Sequence, residues 1–127
     1  MSVLKFSKSH EWARIENDIA VVGITDYAQK ELGDIVFIEL PRVDETVRQN
    51  AQFGTIESTK SASEMFAPLS GKVIEVNKDL PGNPQWVNES PFEKGWMIKI
   101  KIENSAEAAG LMDEEAYGEF VSKESHH

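Results

Sequence analysis

The sequence contains no cysteine, and this absence limits its chemistry. Without a thiol, the chain has no disulfide framework, no thiolate metal ligand and no cysteine nucleophile. Any redox chemistry must therefore come from a group that the chain binds or carries. Histidine is scarce as well. The three histidines, His10, His126 and His127, lack the spacing of metal ligands, so we expect no metal site.

Basic residues are outnumbered by acidic ones. Lys and Arg total 13 against 22 Asp and Glu, which gives a formal net charge of −9. A nucleic-acid-binding protein needs a basic face for phosphates, and an anionic membrane attracts basic segments, so we expect neither as a partner. Acidic charge favours solubility, and it also steers a protein toward basic surfaces of partner proteins.

Long apolar runs are missing too. No stretch approaches the length that spans a bilayer. Residues 1–5 lack the basic start and the apolar core of a signal peptide. The sequence therefore predicts a cytoplasmic protein, which we expect to be a monomer.

The usual components of enzyme sites are also lacking. A hydrolase needs a nucleophile and a base held together, yet cysteine is absent and His10 is the only histidine away from the C-terminus. No glycine-rich phosphate loop occurs. Acidic residues are abundant, so a paired-carboxylate site stays open, although no pair stands out by its spacing. The sequence favours a binding or carrier protein over an enzyme.

The chain does contain many short strands between turn residues, which is typical of a β-rich domain. Its 127 residues suit one domain over 1–127. We predict that 122–127, which end in two histidines, form a disordered tail or the remnant of a purification tag. Because 34–40 is mostly apolar and stops at Pro41, we expect it to be a largely buried strand. The predicted strands are 12–16, 19–24, 34–40, 52–57, 63–67, 71–76 and 96–102.

One short helix interrupts the strands early in the chain. Thr25 is a suitable N-cap and Gly33 a suitable end for a helix near 26–32. Gly33 and Gly71 each precede an apolar strand, on either side of the polar turn at 58–62. Two such halves can pair, and the turn between them then protrudes as a hairpin. We therefore predict a mainly β (α+β) fold, a flattened barrel-sandwich hybrid of two small antiparallel sheets.

Two further helices are predicted near the C-terminus, over 105–109 and 113–121. Ser105 and Asp113 are their expected N-caps. One face of the second helix carries apolar side chains, which we expect to pack against a sheet rather than to bind a partner. These side chains belong to Met112, Ala116 and Phe120, with Tyr117 and Val121 beside them.

The polar turn contains Lys60. One strand leads up to the turn and another begins near Glu64, so we expect Lys60 at or beside the tip of a hairpin. Its small neighbours leave the amine open to a modifying enzyme, while Glu57 and Glu64 supply either recognition charge or solvation. Most lysines are simply exposed, and this segment alone indicates an ordinary lysine.

The tryptophans and the first histidine are interpreted as packing residues. We expect His10 and Trp12 to pack within the body. Trp86 and Trp96, which we assign to strands, are expected in the core or at its rim.

Several short motifs follow one another in a fixed order along about 6–121. They are Ser9-His10-Glu11-Trp12, Gly23-Ile24-Thr25-Asp26-Tyr27-Ala28, Leu32-Gly33-Asp34-Ile35, Glu57-Ser58-Thr59-Lys60-Ser61, Pro68-Leu69-Ser70-Gly71, Val76-Asn77, Asn88-Glu89-Ser90-Pro91-Phe92, Gly95-Trp96 and Leu111-Met112. Each motif is weak alone, but their order and spacing together are specific. By these motifs the chain resembles the glycine cleavage system H-protein family.

The resemblance implies a lipoyl carrier that is not itself an enzyme. Lys60 would carry lipoate through an amide bond, and Glu57, Ser58, Thr59 and Ser61 would form the recognition hairpin around it. A lipoate-attaching enzyme is therefore one implied partner. The family also implies a cleft on the body that shelters the loaded arm, which the sequence does not line residue by residue.

The resemblance also implies three enzyme partners. A pyridoxal-phosphate glycine decarboxylase, the P protein, would pass the aminomethyl group of glycine to the arm. A folate-dependent aminomethyltransferase, the T protein, would take over the one-carbon unit. Dihydrolipoyl dehydrogenase, the L protein, would reoxidise the dihydrolipoyl arm.

Other roles for the same lysine stay open at this point. A biotin carrier domain usually has Met on both sides of its lysine, and a lipoyl domain of a 2-oxo-acid dehydrogenase usually has Asp before it. Lys60 instead lies between Thr59 and Ser61. An H-like protein that donates lipoate to other complexes would use the same lysine, and a pure interaction module would leave it unmodified. The departures from the family pattern are the absence of a glycine at 44–47, Phe92 in place of Tyr, and Lys94 before Gly95.

Overall fold

Two antiparallel sheets make up most of the chain. The computed structural model describes residues 2–124, which form nine strands, three α-helices and one 3₁₀ helix. The strands are β1 (Val3–Phe6), β2 (Glu11–Glu16), β3 (Ile19–Ile24), β4 (Ile35–Glu39), β5 (Thr46–Val47), β6 (Gln52–Ser58), β7 (Ala62–Phe66), β8 (Gly71–Val76) and β9 (Ile98–Ile102). The helices are α1 (Asp26–Leu32), α2 (Gln85–Glu89), the 3₁₀ helix (Ser105–Gly110) and α3 (Glu114–Glu124).

The two sheets differ in size. The larger sheet has six strands in the order β1-β2-β3-β9-β8-β5, and the smaller has three in the order β4-β6-β7. Every pairing between these strands is antiparallel. Strand β9, the last in the chain, lies between β3 and β8. The predicted fold class, mainly β with two antiparallel sheets, is confirmed, and both sheets are open.

One hydrophobic core joins the two sheets. Ile98 and Ile100 of β9 are fully buried, while the lysines that alternate with them are not. Ile56 of β6 and Met65 of β7 enter the same core from the smaller sheet. Burying a side chain of this size contributes about 1.5–3 kcal/mol. A shift of one residue would expose a whole strand face, so the core fixes the register.

A second apolar cluster attaches α3 to the larger sheet. Phe6 and Tyr117 stack with their ring centroids 4.4 Å apart. Trp12 is fully buried in the same cluster, and its indole N–H donates to the carbonyl of Pro91 at 3.1 Å. Trp96 packs at the rim of this cluster. The prediction that Trp12 and Trp96 are packing residues is confirmed.

Helix α1 begins and ends where the sequence predicts. The hydroxyl oxygen of Thr25 accepts the N–H of Ala28 at 3.2 Å. At the other end, the N–H of Gly33 donates to the carbonyl of Gln29 at 2.9 Å. Both bonds satisfy backbone groups that a helix end leaves open, so this seven-residue helix has defined limits.

The prediction that 34–40 is a largely buried strand is wrong. In β4, Ile35 and Ile38 are buried, but Val36 and Phe37 are about half exposed. The register shifts between Ile35 and Phe37, which brings residues three apart to the inner face. Strand β4 is also an edge strand with one face toward solvent. Apolar composition alone does not distinguish this arrangement from a strand buried on both faces.

The predicted helix caps near the C-terminus are half right. Asp113 caps α3 as expected, since its Oδ1 accepts the N–H of Ala116 at 2.8 Å. The 3₁₀ helix, however, is capped by Asn104, whose side chain accepts the N–H of Ala106 at 3.1 Å. The prediction of Ser105 as that cap is wrong by one residue, because Asn and Ser are equally suited to the position.

The predicted apolar face of α3 is shifted. Ala116 is exposed, and the buried residue of the helix is Tyr117. The larger ring of Tyr117 determines which side of the helix faces the sheet. Helix α3 also continues to Glu124, so residues 122–124 of the predicted tail are helical, and 125–127 lie outside the described residues.

Strands β1 and β5 and helix α2 were not predicted. Both strands are short and form the two edges of the larger sheet. Helix α2 has five residues and no side-chain cap. Trp86 lies in this helix, not in a strand as expected, although it does pack at the rim of the core.

Candidate functional site

The turn between β6 and β7 holds Lys60. Thr59, Lys60 and Ser61 connect the two strands, whose last cross-strand pair is Glu57 with Ala62. The N–H of Ser58 donates to the carbonyl of Ser61 at 2.7 Å and closes the turn. Lys60 therefore lies at the tip of a short hairpin.

The Ser58 side chain holds the turn together. Its hydroxyl oxygen accepts the N–H of Lys60 at 3.3 Å and the N–H of Ser61 at 3.1 Å. Short-range bonds of this kind, from a serine to the backbone after it, stabilise tight turns. Ser58 is buried, whereas the three residues that follow are exposed. The backbone of the tip is thus fixed while its side chains stay accessible to solvent.

The amine of Lys60 is available for chemistry. The side chain is exposed, and no carboxylate of residues 2–124 forms an ion pair with it. Serine and threonine beside it leave room for an approaching enzyme. A primary amine in this setting can attack an activated carboxyl group and form an amide.

The outer face of the smaller sheet is acidic. In register, Glu39 and Glu64 lie on either side of Thr55, and Glu57 lies beside the half-exposed ring of Phe37. We call Glu39, Glu57 and Glu64 the acidic hairpin face. None of the three carboxylates forms an ion pair within residues 2–124. A depression of about 570 Å³ opens on this face, which a basic protein surface would complement.

Glu11 ties the second strand of the hairpin to the larger sheet. Its Oε2 accepts the backbone N–H of Phe66 at 3.1 Å, and its Oε1 accepts the hydroxyl of Ser7 at 2.8 Å and the hydroxyl of Ser9. Glu11 is only 2% exposed. Burial raises the pKa of its carboxyl, and the hydrogen bonds oppose this shift. In the sequence, Glu11 stood out only as one residue of the motif Ser9-His10-Glu11-Trp12.

A cavity of about 290 Å³ lies beside the hairpin. Its lining includes Ala28 and Leu32 of α1, Ser63 of β7, and His10. Ser63 is three residues from Lys60, and Leu32 ends the helix that leads to β4. The cleft implied by the family resemblance stays a prediction, and this cavity is the candidate for it.

His10 connects this cavity to α3. Its Nδ1 lies 2.8 Å from the hydroxyl of Tyr117, and its Nε2 lies 2.9 Å from a carboxylate oxygen of Glu124. The Tyr117 hydroxyl is also 2.7 Å from the hydroxyl of Thr25. Burial of the phenol raises the pKa of Tyr117 to about 12. The ring of His10 packs on Tyr27, with centroids 4.8 Å apart, so its prediction as a packing residue is confirmed.

Residues 2–124 contain neither a cluster of metal ligands nor a membrane-spanning helix. No group of three or more His, Cys, Asp or Glu side chains is arranged to hold a metal ion in that part of the chain. No helix within it is long and apolar enough to cross a membrane.

Comparison with known families identifies the family of the chain. The sequence profile of the family described as Glycine cleavage H-protein matches residues 4–124. The chain belongs to this family. The resemblance inferred from the motifs is therefore confirmed, and the chain is a carrier component of the glycine cleavage system rather than an enzyme. Membership also removes the biotin-carrier and 2-oxo-acid dehydrogenase alternatives.

The similarity to known relatives extends over almost the full length of the chain. A glycine cleavage system H protein of Staphylococcus epidermidis strain ATCC 12228 is 50% identical over 122 residues, which are 96% of this chain and 97% of the relative. The protein of the same name from strain ATCC 35984 is 49% identical over 122 residues, with the same shares of both chains. The crystal structure of a glycine cleavage system H protein from Mycobacterium marinum superposes with a TM-score of 0.85 at 30% identity, over 96% of each chain.

Proposed function

We propose that Lys60 carries lipoate in an amide bond and that the chain conveys the aminomethyl group of glycine on this arm. The observation that carries the proposal is the exposed amine of Lys60, which no carboxylate of residues 2–124 pairs with, at the tip of a hairpin with a fixed backbone. The arm starts from a defined point, and its length lets it reach more than one enzyme. Tethering raises the local concentration of the carried group at each of them.

The proposed partners are the decarboxylase, the aminomethyltransferase, the dihydrolipoyl dehydrogenase and the enzyme that attaches lipoate. Lipoate supplies a cyclic disulfide that takes up two electrons with the aminomethyl group and returns them to the dehydrogenase when its dithiol is reoxidised. The chain itself contributes position and charge. A cytoplasmic location and a monomeric state stay predictions, which cell fractionation and light scattering test.

Electrostatics favours basic docking surfaces on these partners. Acylation of Lys60 removes its positive charge and changes the formal net charge from −9 to −10. The acidic hairpin face lies beside the modified residue, so lipoylation makes this region more acidic. Steered association of this kind weakens as salt screens the charges, over a Debye length of about 8 Å at physiological ionic strength.

The test is intact-mass measurement with peptide mapping after incubation with lipoate, ATP and a lipoate ligase. We expect one lipoyl increment on the peptide containing Lys60, and none in Lys60→Arg. The matched control is Lys78→Arg, which changes another exposed lysine in a turn and should leave the increment intact. An unmodified Lys60, under conditions that lipoylate a reference lipoyl domain, would refute the proposal.

A second assay tests the carrier role separately. The lipoylated protein is added to a reconstituted glycine cleavage system, and the release of carbon dioxide from glycine is followed. We expect turnover that depends on lipoylated wild-type protein and is absent with Lys60→Arg. Lipoylation without turnover would instead favour a role as a lipoate donor to other complexes.

A further inference from the structure

The side chain of Lys60 lies across Gly33. A Cβ built on Gly33 would be 3.0 Å from Cε of Lys60, 3.6 Å from Cδ and 3.7 Å from Cγ. The lysine stem therefore runs directly over the backbone at the end of α1. Gly33 also has φ 89° and ψ −161°, a conformation that is essentially confined to glycine. The backbone angle therefore requires glycine here, and a Cβ at this position would displace the lysine stem.

Asn88 of α2 also holds this stretch of backbone. Its Oδ1 accepts the N–H of Ile35 at 2.9 Å, and its Nδ2 donates to the carbonyl of Gly33 at 2.9 Å. The second Nδ2 hydrogen is donated to Oε1 of Gln29 at 2.8 Å. Both amide hydrogens and the amide oxygen of Asn88 are thus used on α1 and on the segment that follows it. The two bonds to Gly33 and Ile35 bracket Asp34 and fix its peptide groups.

Asp34, which lies between Gly33 and Ile35, is hydrogen-bonded to the hairpin. The carbonyl of Asp34 accepts the N–H of Thr59 at 3.0 Å, and Thr59 immediately precedes Lys60. A continuous path of hydrogen bonds therefore runs from Asn88 through 33–35 to the tip of the hairpin. Together with the contact on Gly33, it gives Lys60 both a fixed base and a surface for its stem.

We infer that 33–35, clamped by Asn88, forms a platform that positions the amine of Lys60 and the first part of its arm. The inference rests on the proposed function and adds how the arm is aimed. Gly33 contacts the lysine stem, whereas Asn88 contacts neither Lys60 nor its amine, so Asn88 is a positioning residue. The platform limits the rotamers of a long side chain that is otherwise free to adopt many of them. It directs the stem along the end of α1, whose residues Ala28 and Leu32 line the cavity beside the hairpin.

The first test uses the unmodified protein in solution. Nuclear Overhauser effects are measured between the Hα atoms of Gly33 and the δ and ε methylene protons of Lys60. We expect them in the wild type, together with slower methylene motion in Lys60 than in the exposed Lys8. Absence of these effects would overturn the inference. This experiment needs no variant and no lipoate, so its result does not depend on whether Lys60 is modified.

The second test measures steady-state lipoylation by a lipoate ligase with ATP and lipoate. We expect Gly33→Ala, Asn88→Ala and the milder Asn88→Asp to lower kcat about fivefold at unchanged KM, since docking on the hairpin persists while the amine loses its orientation. A merely structural role would lower the folded fraction or the melting temperature but leave kcat per folded molecule unchanged. Wild-type kcat in folded variants would overturn the inference.

Matched controls are available in the chain. Gly118→Ala places a methyl group where nothing lies within 4 Å. Asn83→Ala removes an asparagine whose side chain, within residues 2–124, bonds only to the carbonyl of Asp79. Both should lipoylate at the wild-type rate. If the wild type itself is not lipoylated, the proposed function fails, and the Overhauser measurement still decides whether the platform exists.

Discussion

The indole ring of Trp12 lies directly over Gly23, its cross-strand neighbour in the larger sheet. A Cβ built on Gly23 would be only 2.7 Å from Cζ2 and 2.8 Å from Cε2 of the ring. The ring cannot retreat, because Trp12 is fully buried and its N–H donates to Pro91. The glycine is therefore needed for the close approach of the ring to the strand.

Gly23→Ala should destabilise the protein through this contact. We expect the free energy of unfolding to fall by about 1–3 kcal/mol, the usual cost of forcing an extra carbon into a packed core. Urea unfolding followed by tryptophan fluorescence measures the effect. Gly118→Ala is the control, since it adds a methyl group to α3 in open space and should raise stability by up to about 1 kcal/mol. A Gly23→Ala protein as stable as the wild type would contradict the packing described.

Ser58→Ala should loosen the hairpin tip without unfolding the protein. The amides of Lys60 and Ser61 lose their bonds to the serine hydroxyl, and one such bond contributes about 1 kcal/mol. We expect amide hydrogen exchange at these two positions to accelerate about fivefold. Ser63→Ala is the control, because within the described residues 2–124 the hydroxyl of Ser63 bonds only to the carbonyl of Glu64. Unchanged exchange at both amides would show that Ser58 does not hold the turn.

Tyr117→Phe should weaken the docking of α3 and change the response to alkali. The pKa of Tyr117 is raised from 10.0 to about 12 by burial, so the folded protein keeps a proton that the unfolded chain loses. Stability from this group is therefore present below pH 10 and decreases as the pH rises toward 12. We expect Tyr117→Phe to be less stable at neutral pH, because the hydroxyl of Thr25 and the ring of His10 each lose a partner.

Thermal unfolding from pH 8 to pH 12 tests this prediction. The wild type should lose more stability than Tyr117→Phe across the window, so the two curves should converge as the pH rises. Parallel curves would mean that the phenol of Tyr117 is not held in its neutral form by the fold.

Glu11→Gln should alter the pH dependence of stability at acid to neutral pH. Burial raises the pKa of Glu11 above its ordinary 4.5, so the unfolded chain ionises first as the pH rises. The stabilisation that the protonated carboxyl contributes is therefore fully present below about pH 4.5. It is lost as the pH rises through the raised pKa. An amide can still accept the N–H of Phe66 and donate to the serine hydroxyls.

We expect the stability of Glu11→Gln relative to wild type to increase with pH across this window. Urea unfolding at several pH values between 4 and 8 gives the free energy of unfolding of both proteins. The contributions of the other carboxylates are common to both and cancel in the difference. A difference that stays constant with pH would contradict the raised pKa.

Local signals in the sequence account for the parts of the fold that were predicted. Thr25 and Gly33 mark the ends of α1 because capping depends on the few residues at a helix end. The hairpin around Lys60 follows from two strand patterns separated by small polar residues. Lys60 itself stood out only through the order of the motifs, because an exposed lysine is common.

The parts that were missed depend on partners distant in the sequence. The exposure of Phe37 follows from a register shift against β6, and no pattern within β4 reports it. The role of Asn88 depends on three groups at Gln29, Gly33 and Ile35, which only the folded chain brings together. Its position in a motif marked Asn88 without indicating what it contacts.

The central position of β9 has a consequence for how the protein is made. Strands β3 and β8 pair with β9 and not with each other, so a nascent chain that ends before residue 98 has two unpaired strand edges. Such edges readily pair with other chains. Most of the chain must therefore be synthesised before the larger sheet can be completed. During that interval, the edges of β3 and β8 lack the strand that covers them in the folded protein.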